Sequence, residues 1–364
     1  MLKQFQMFES NSHSKYQIGW KPVTEQVEAT VKEILQVEYG LVGVASVEQV
    51  CEWEVMSNNF RVRFSDGKTE DVLMRKHIQH GDATSLTIMN SAMDFLYHRG
   101  IMVPRTICAS GLRQVVWHEP SSSYWQVFKF IPGDHYCGSE EELADAARHV
   151  ARLNRAMKGL LLDPAISDLE LRLTLPRWKE FIEAGSGSDL ELDHLLVECE
   201  ELVSKQIAAV ERVPYPGDDH EETQQVLHTD LHPLNFIFQD GCVRAILDFG
   251  NMVKGNVCVD VANACHRLVR QHVVYQGAPW QETLAVGVSI FFESYLSENP
   301  GLREELKRVP YFMKDKILRN LEGCLSLYRA GKWTHEVALK EITKQTGLLL
   351  ETDLLAMACA RYFR

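Results

Sequence analysis

The sequence lacks the features of a secreted, disulfide-bonded or membrane-spanning protein. Its nine cysteines are scattered, and no C-x-x-C pair occurs among them. This pattern excludes a zinc knuckle or a disulfide framework and favours reduced thiols. Charged and polar residues are interspersed through the first twenty positions, where a signal peptide needs an apolar run. The longest apolar stretches, such as Thr283 to Phe292, are too short to span a bilayer. We therefore expect a cytoplasmic protein without a membrane partner.

The chain also lacks a surplus of basic residues. Lys and Arg total 38 against 50 Asp and Glu, which gives a formal net charge of −12. Nucleic-acid binding requires a basic face for phosphate contacts, so we expect no nucleic-acid partner. With 45% hydrophobic and 24% charged residues, the composition excludes disordered, collagen-like and coiled-coil classes. A length of 364 residues allows two lobes with an extensive core.

The hydrophobic pattern changes from strand-like to helical after Pro132–Gly133, which interrupts regular structure. We expect an α+β fold with a strand-rich lobe over 1–131 and a helical lobe over 132–364, and the first twenty residues as a flexible lead or loose helix. Alternation predicts strands and three-to-four spacing predicts helices. The predicted strands are Ser46–Trp53, Asn59–Phe64, Asp71–Ile78, Gln114–Trp117, Tyr124–Ile131, Phe236–Phe238 and Val243–Leu247, and the predicted helices include Val23–Val37, Ser85–Gly100, Glu140–Leu161 and Leu190–Val213.

The motif with the clearest chemistry lies at residues 228–250. It reads H-x-D-L-x-P-x-N and is followed, after a predicted turn, by D-F-G. Phosphoryl transfer needs one carboxylate to accept or orient a hydroxyl proton, and further oxygen ligands to hold Mg²⁺ against the phosphates. Asp230 lies on the loop, Asn235 follows it, and Asp248 ends the second predicted strand. The two strands are expected to fold Asn235 and Asp248 toward each other.

These residues resemble the motifs of protein kinases and, more closely, of the aminoglycoside phosphotransferase and choline kinase-like small-molecule kinases. Tyr124 to Gly133 and Glu141 to Met157 are similar to the hinge strand and the first long helix of that family. The resemblance implies a bilobal protein kinase-like fold, with a small antiparallel sheet in the N-terminal lobe and a larger, mainly helical C-terminal lobe. It also implies ATP or GTP and Mg²⁺ as cofactors and a small-molecule hydroxyl as the acceptor.

The same resemblance assigns the catalytic roles to Asp230, Asn235 and Asp248. Asp230 would be the catalytic base, and Asn235 and Asp248 would bind Mg²⁺. His228 would support the loop as a structural residue. His232 would either donate to the transferring phosphate or face solvent.

A basic residue of the strand-rich lobe is expected to pair with the phosphates. Strand alternation gives this role to Arg75, or to Lys76 if the register differs by one residue. The family places an acidic partner for this residue on the following helix, near Asn90, where this sequence has no acid. Asp94 and Asp82 are the substitutes that the sequence offers.

The remaining nucleotide contacts are also implied by the resemblance. Ser57 and Asn58 would hold the phosphates in a turn that lacks the glycines of protein kinases. A plain polar hairpin is the alternative. Phe128 and Phe130 of the hinge would contact the adenine.

Two other functions are open at this point. A kinase-like nucleotide-binding module without catalysis is consistent with the missing acidic partner. A protein kinase is disfavoured because Asp260 follows only ten positions after Gly250. The acceptor is expected to be a small molecule, and the surplus of acids would suit one that bears an amine. The chain is expected to be a monomer or a homodimer.

Overall fold

A computed structural model of the chain describes residues 17–50, 57–77, 83–160, 166–167, 173–184, 190–212, 224–277 and 279–364. Within these ranges the strands are β1 Trp20–Pro22, β2 Val44–Val50, β3 Ser57–Phe64, β4 Val72–His77, β5 Thr106–Ile107, β6 Val116–His118, β7 Ser123–Lys129, β8 Asp134–His135, β9 Gln224–Leu227, β10 Phe236–Gln239, β11 Cys242–Ile246 and β12 Val253–Asn256. The helices are α1 Glu25–Tyr39, α2 Ala83–Tyr97, α3 Glu140–Met157, α4 Leu175–Ala184, α5 Leu190–Glu211, α6 Cys258–Gln276, α7 Trp280–Glu298, α8 Val309–Arg329 and α9 His335–Tyr362.

The strand-rich part is an antiparallel sheet in the order β1-β2-β3-β4-β7-β5, with β6 also paired to β7. Alternate residues of the strands, including Phe60, Val62 and Met74, pack with the apolar side of α1 in one core. Successive strand residues point to opposite faces of a sheet, so the residues that alternate with these core residues face the helical part. This second face carries the side chains that line the cavity described below.

The helical part has a larger core, to which α3–α9 contribute. Helix α2 also packs its apolar side, including Leu86 and Leu96, into this core. Val127 belongs to the core of the sheet and Phe128 to the larger core, so β7 joins the two. None of the described helices combines the length and the hydropathy that crossing a membrane requires.

Two small antiparallel sheets position the motif residues. Strand β10 pairs with β11 and β8, and β9 pairs with β12. The loop with the H-x-D-L-x-P-x-N motif therefore begins at the end of β9 and ends at the start of β10. The D-F-G segment lies between β11 and β12.

The expected fold class is confirmed, and the longer elements form near their predicted bounds. The flexible lead predicted for the first twenty residues is wrong at its end, because Trp20 pairs with Val50 in β1. A strand of three residues that contains Lys21 and Pro22 is too short to show an alternating pattern. Residues 51–53 of the predicted strand Ser46–Trp53 lie outside the described ranges.

Candidate active site

The motif loop, residues 228–235, is held by the first turns of α6. Asp260 is fully buried, and its carboxylate accepts hydrogen bonds from the backbone N–H groups of His228 at 2.9 Å and Thr229 at 2.7 Å. One turn further along α6, the side chain of Asn263 donates to the carbonyl of Thr229 at 3.1 Å. Burial raises the pKa of Asp260, against the opposing effect of His228 and these hydrogen bonds. The contacts attach the loop to a buried helix.

Two residues of the site have backbone conformations that non-glycine residues rarely adopt. Thr229 has φ 66° and Asp248 has φ 65°, both in the left-handed region. Such conformations cost about 1–3 kcal/mol each and persist only where surrounding contacts hold them. Thr229 makes those contacts with Asp260 and Asn263, and its hydroxyl donates to the Asn251 carbonyl at 2.8 Å.

Replacing Asp260 by alanine should therefore destabilise the protein. The backbone N–H groups of two loop residues would lose a buried acceptor, and each unsatisfied buried group costs about 1–3 kcal/mol. We expect the free energy of unfolding in urea to fall by about 3 kcal/mol. Glu201→Ala, at an exposed position of α5, is the control and should change it by less than about 0.5 kcal/mol. Equal stability of the two variants would contradict this role of Asp260.

The β10–β11 hairpin brings Asn235 and Asp248 together. The N–H of Leu247 donates to the backbone carbonyl of Asn235 at 2.8 Å, beside the paired strands. The side-chain nitrogen of Asn235 donates to the carbonyl of Asp230 at 2.7 Å. The amide oxygen of Asn235 is therefore the end that can bind a cation together with the Asp248 carboxylate.

The Asp230 side chain is 33% exposed and lies next to His232, whose Nε2 is 3.5 Å from Oδ2 of Asp230. Burial raises the pKa of Asp230, but the hydrogen bond and charge of His232, with the charges of Lys316 and His228, lower it to about 2 overall. The carboxylate is therefore ionised at neutral pH. In this state it can accept a hydrogen bond or a proton from a hydroxyl group.

His228 connects the motif loop to the end of β11. Its ring is buried, with Nε2 2.8 Å from the Leu247 carbonyl, and Nδ1 accepts a hydrogen bond from the N–H of Asp230 at 3.2 Å. Because Nδ1 accepts, Nε2 carries the proton and donates to Leu247. The ring also contacts Phe249 edge-to-face, with 4.7 Å between centroids. These contacts give His228 a supporting position.

A cavity of about 420 Å³ lies between the large sheet and the motif loop. Asp230, Asn235 and Asp248 line it together with Arg75 of β4. Apolar side chains, among them Phe128, form much of the remaining wall. Its volume and its few converging polar groups are typical of a small-molecule site.

Arg75 lines this cavity, and Lys76 lies on the other face of the sheet. Nε of Arg75 donates to Oδ1 of Asn59 at 2.9 Å. Burial lowers the pKa of Arg75 from its ordinary value, and the negative charge of Asp248 opposes this effect. Lys76 instead has its Nζ 5.8 Å from the ring centroid of Trp125.

Asn59 lines the cavity, whereas the predicted phosphate residue Asn58 does not. In the β3–β4 register, Asn58 is opposite Lys76 and Asn59 is opposite Arg75, so Asn58 shares the face that points away from the cavity. The backbone of Ser57 begins β3, and its side chain lies outside the described part of the chain. Buried and more exposed residues alternate along β3. This alternation puts Asn58 and Asn59 on opposite faces, and it was the sequence signal that could have identified Asn59.

Among the described residues, no acid of α2 pairs with Arg75. Asp94 accepts a hydrogen bond from a glutamine at 2.7 Å, and Asn90 is fully buried in contact with another glutamine. Asp82 lies outside the described ranges. The residue that accepts a hydrogen bond from Arg75 is instead Asn59 of β3.

The hinge contributes two aromatic side chains to the cavity wall. Phe128 is buried and Phe130 is partly exposed, and both line the cavity. Trp20 of β1 also lines it, with its ring edge-on to Phe130 at 5.9 Å between centroids. Arg61 lies 4.2 Å from the centre of the Phe130 ring. Sequence reasoning missed Trp20 because it assigned the first twenty residues to a flexible lead.

The described residues include no group of three or more His, Cys, Asp or Glu side chains that could hold a metal ion. Mg²⁺ is usually bound by one or two carboxylates together with substrate phosphates. Asn235 and Asp248 provide a partial set of this type, with oxygen atoms that suit a hard cation. The residues present therefore fit Mg²⁺ that is held jointly with a phosphorylated ligand.

Comparison with known proteins gives one family match and many structural matches. The family model APH, described as "Phosphotransferase enzyme family", matches residues 54–287. No curated protein sequence matches the chain. The matched segment includes β3, β4, the hinge and the whole motif region.

Several solved structures share the fold at low sequence identity. Amicoumacin kinase, in complex with AMP-PNP and Ca²⁺, is 13% identical with a TM-score of 0.60, over 90% of this chain and 96% of that one. Spectinomycin phosphotransferase is 11% identical with a TM-score of 0.61, over 92% and 100% of the two chains. A microcompartment-associated aminopropanol kinase is 17% identical with a TM-score of 0.58, over 93% and 99%.

Proposed function

Because the chain belongs to the APH phosphotransferase enzyme family, we propose that it transfers the γ-phosphate of ATP, or of GTP, to a hydroxyl of a small metabolite or antibiotic. The observation that carries this proposal is the meeting of Asp230, Asn235, Asp248 and Arg75 in one cavity. Carboxylates, an amide oxygen and a guanidinium at one place are the groups that phosphoryl transfer requires. The cytoplasm, where nucleotide triphosphates are abundant, is the proposed location.

Asp230 is the proposed catalytic base. Its carboxylate is ionised, and its position on a firmly held loop allows it to orient the acceptor hydroxyl and take up the proton. His232 lies beside one carboxylate oxygen and restricts its orientation. Transfer would depend mainly on positioning and on neutralising negative charge.

Asn235 and Asp248 would hold Mg²⁺, which when bound neutralises charge on the phosphates. Arg75 is the proposed direct phosphate ligand of the protein, with Asn59 keeping its side chain in the cavity. Phe128, Phe130 and Trp20 are the proposed walls for the adenine. The strand-rich lobe over 1–131 and the helical lobe over 132–364 would thus each provide one side of the site.

A kinase-like module that binds nucleotide without catalysis is the contrasting hypothesis. Thermal shift with ATP or GTP, with and without Mg²⁺, measures nucleotide binding. A panel of sugars, amino alcohols, hydroxy acids and aminoglycosides, followed by release of nucleoside diphosphate, measures transfer. We expect Mg²⁺-dependent binding and acceptor-dependent release. Binding without release on every acceptor would contradict the proposed transferase.

Replacing Arg75 by methionine should weaken nucleotide binding. A charge-assisted hydrogen bond contributes about 1.5–3 kcal/mol, so we expect the KM for ATP to rise about 10- to 100-fold. Lys76→Met removes the neighbouring charge on the other face of β4 and should leave this KM unchanged. Steady-state kinetics on both variants provide the measurement. A larger effect of Lys76→Met than of Arg75→Met would assign the phosphate role to Lys76.

A further inference from the structure

One side of α6 carries a row of polar residues that continues past the motif loop. Asp260, Asn263, Arg267 and Arg270 are three or four positions apart, so they follow one another along the same face of the helix. The first two bind the backbone of the motif loop. Arg267 is therefore one helical turn after Asn263, which contacts Thr229, the residue before Asp230. Sequence reasoning did not identify this row.

Three acids near this row have basic partners. Glu351 is 2.7 Å from Arg270, and Asp315 is 2.9 Å from Arg319. Asp353 pairs with Lys314. Two of these pairs join α9 to α6 and to α8, and the third lies within α8. Asp230 and Asp260 are the other acids that act on Lys316.

Two cations of the same region have no such partner. Arg267 and Lys316 are half-buried, and neither makes an ion pair or hydrogen bond to another described residue. Burial lowers the pKa of both, with Asp230 opposing that effect in each case. Each residue lies within electrostatic range of the other and of the Asp230 carboxylate. Partly buried cations that lack a direct ion pair favour an anionic ligand.

These two cations are separate from the groups that line the nucleotide cavity. Asp230 lines that cavity with Arg75 and Asp248, but Arg267 and Lys316 do not line it. They lie on α6 and α8 of the helical part, within electrostatic range of Asp230. An acceptor with its hydroxyl at Asp230 and the nucleotide on the other side would extend toward them.

We propose that Arg267 and Lys316 bind an anionic group of the acceptor, so that the substrate is an alcohol bearing a carboxylate or a phosphate. This inference rests on the proposed function. A guanidinium and an ammonium are the groups that bind anionic oxygens in proteins. An ammonium group placed here would instead be repelled by both cations. The inferred acceptor therefore differs from the amine-bearing one that the surplus of acids suggested.

Matched acceptor pairs test this proposal. L-Homoserine is compared with 3-amino-1-propanol, and D-gluconate with D-glucitol, because the members of each pair differ in the carboxylate. Glycerol 3-phosphate and glycerol form the phosphate arm. For the pair that the enzyme phosphorylates, we expect kcat/KM to be about 10- to 100-fold higher for the anionic member. This ratio corresponds to the free energy that charge-assisted hydrogen bonds contribute. Higher kcat/KM for the neutral or amine-only members would overturn the proposal.

Variants separate this site from the transferase activity itself. Arg267→Met and Lys316→Met should remove the preference for the anionic member, and Arg267→Lys should restore part of it. Lys340→Met removes an exposed charge on α9 and should keep the preference. An unchanged preference in Arg267→Met and Lys316→Met would overturn the proposal without affecting the proposed transferase.

The proposal can also be tested if no member of the panel is phosphorylated. Thermal shift with Mg²⁺ and AMP-PNP would then be measured for the same compounds at increasing concentration. Stabilisation of the wild type by the anionic members, but not of Arg267→Met, would support the anion site. No selective stabilisation by an anion would overturn it. The proposed transferase is judged separately, by diphosphate release with the wider panel.

Discussion

Replacing Asp230 by asparagine is expected to lower kcat for phosphoryl transfer by about 1000-fold, within the 10²–10⁴ range of general base catalysis. Asparagine has nearly the same shape as aspartate but cannot take up the hydroxyl proton. The carboxylate of Asp230 is ionised at neutral pH because His232 and Lys316 outweigh the effect of burial on its pKa. The substitution removes this charge and leaves the rest of the site in place.

The fold and nucleotide binding should be unchanged in Asp230→Asn. The motif loop is held through backbone atoms, because the N–H of Asp230 donates to His228 and its carbonyl accepts from Asn235. The measurements are kcat with a productive acceptor and thermal shift with Mg²⁺ and ATP. Asp240→Asn, at an exposed hairpin turn with φ 53°, is the matched control and should keep normal kcat. Wild-type turnover by Asp230→Asn would exclude Asp230 as the base.

Replacing Asp248 by alanine is expected to weaken Mg²⁺-dependent nucleotide binding by more than about 100-fold. Replacing a residue that only hydrogen-bonds to a metal ligand lowers metal affinity by about 10- to 100-fold, and replacing a direct ligand should lower it more. Asp248 also provides the negative charge that faces Arg75 in the cavity. Its removal should therefore abolish the difference in affinity between Mg²⁺–nucleotide and free nucleotide.

Calorimetric titration of ATP in Mg²⁺ and in EDTA measures this difference for Asp248→Ala. Asp248→Asn is a second variant, because asparagine tolerates the left-handed conformation at φ 65° better than alanine does. Loss of Mg²⁺ dependence in both variants would assign the effect to the carboxylate. Unchanged Mg²⁺ dependence in both would remove Asp248 from the proposed metal site.

The arrangement of the motif residues could be predicted because it is local. Asn235 and Asp248 flank a hairpin with a short turn, so pairing of its strands is sufficient to bring them together. The adjacent loop contains Asp230. A resemblance that is most specific over residues 228–250 therefore indicated both the fold family and the candidate residues of the site.

Contacts between distant segments could not be predicted in the same way. Arg75 is paired with Asn59, which depends on the register of β3 against β4, whereas the resemblance implied an acid on α2. Trp20 reaches the cavity because a three-residue strand pairs with β2. A propensity argument contains no information about which strands become neighbours.

The charge around Asp230 shows a further limit of composition. A net charge of −12 describes the whole surface, and it suggested acids for an amine-bearing acceptor. In the structure, Glu351 and Asp315 are ion-paired with other residues, while Arg267 and Lys316 remain without ion pairs among the described residues. The local balance of charge depends on which helices meet, and only the fold determines this.

The most direct test of the central claim is the ³¹P NMR spectrum of a reaction of ATP, Mg²⁺ and a productive acceptor with the wild-type chain. Asp230→Asn is recorded in parallel. We expect a phosphate monoester resonance that grows in step with ADP in the wild type and is absent from the variant on the same time scale. ADP formation with inorganic phosphate alone, or equal ester formation by the variant, would contradict transfer to a hydroxyl by Asp230.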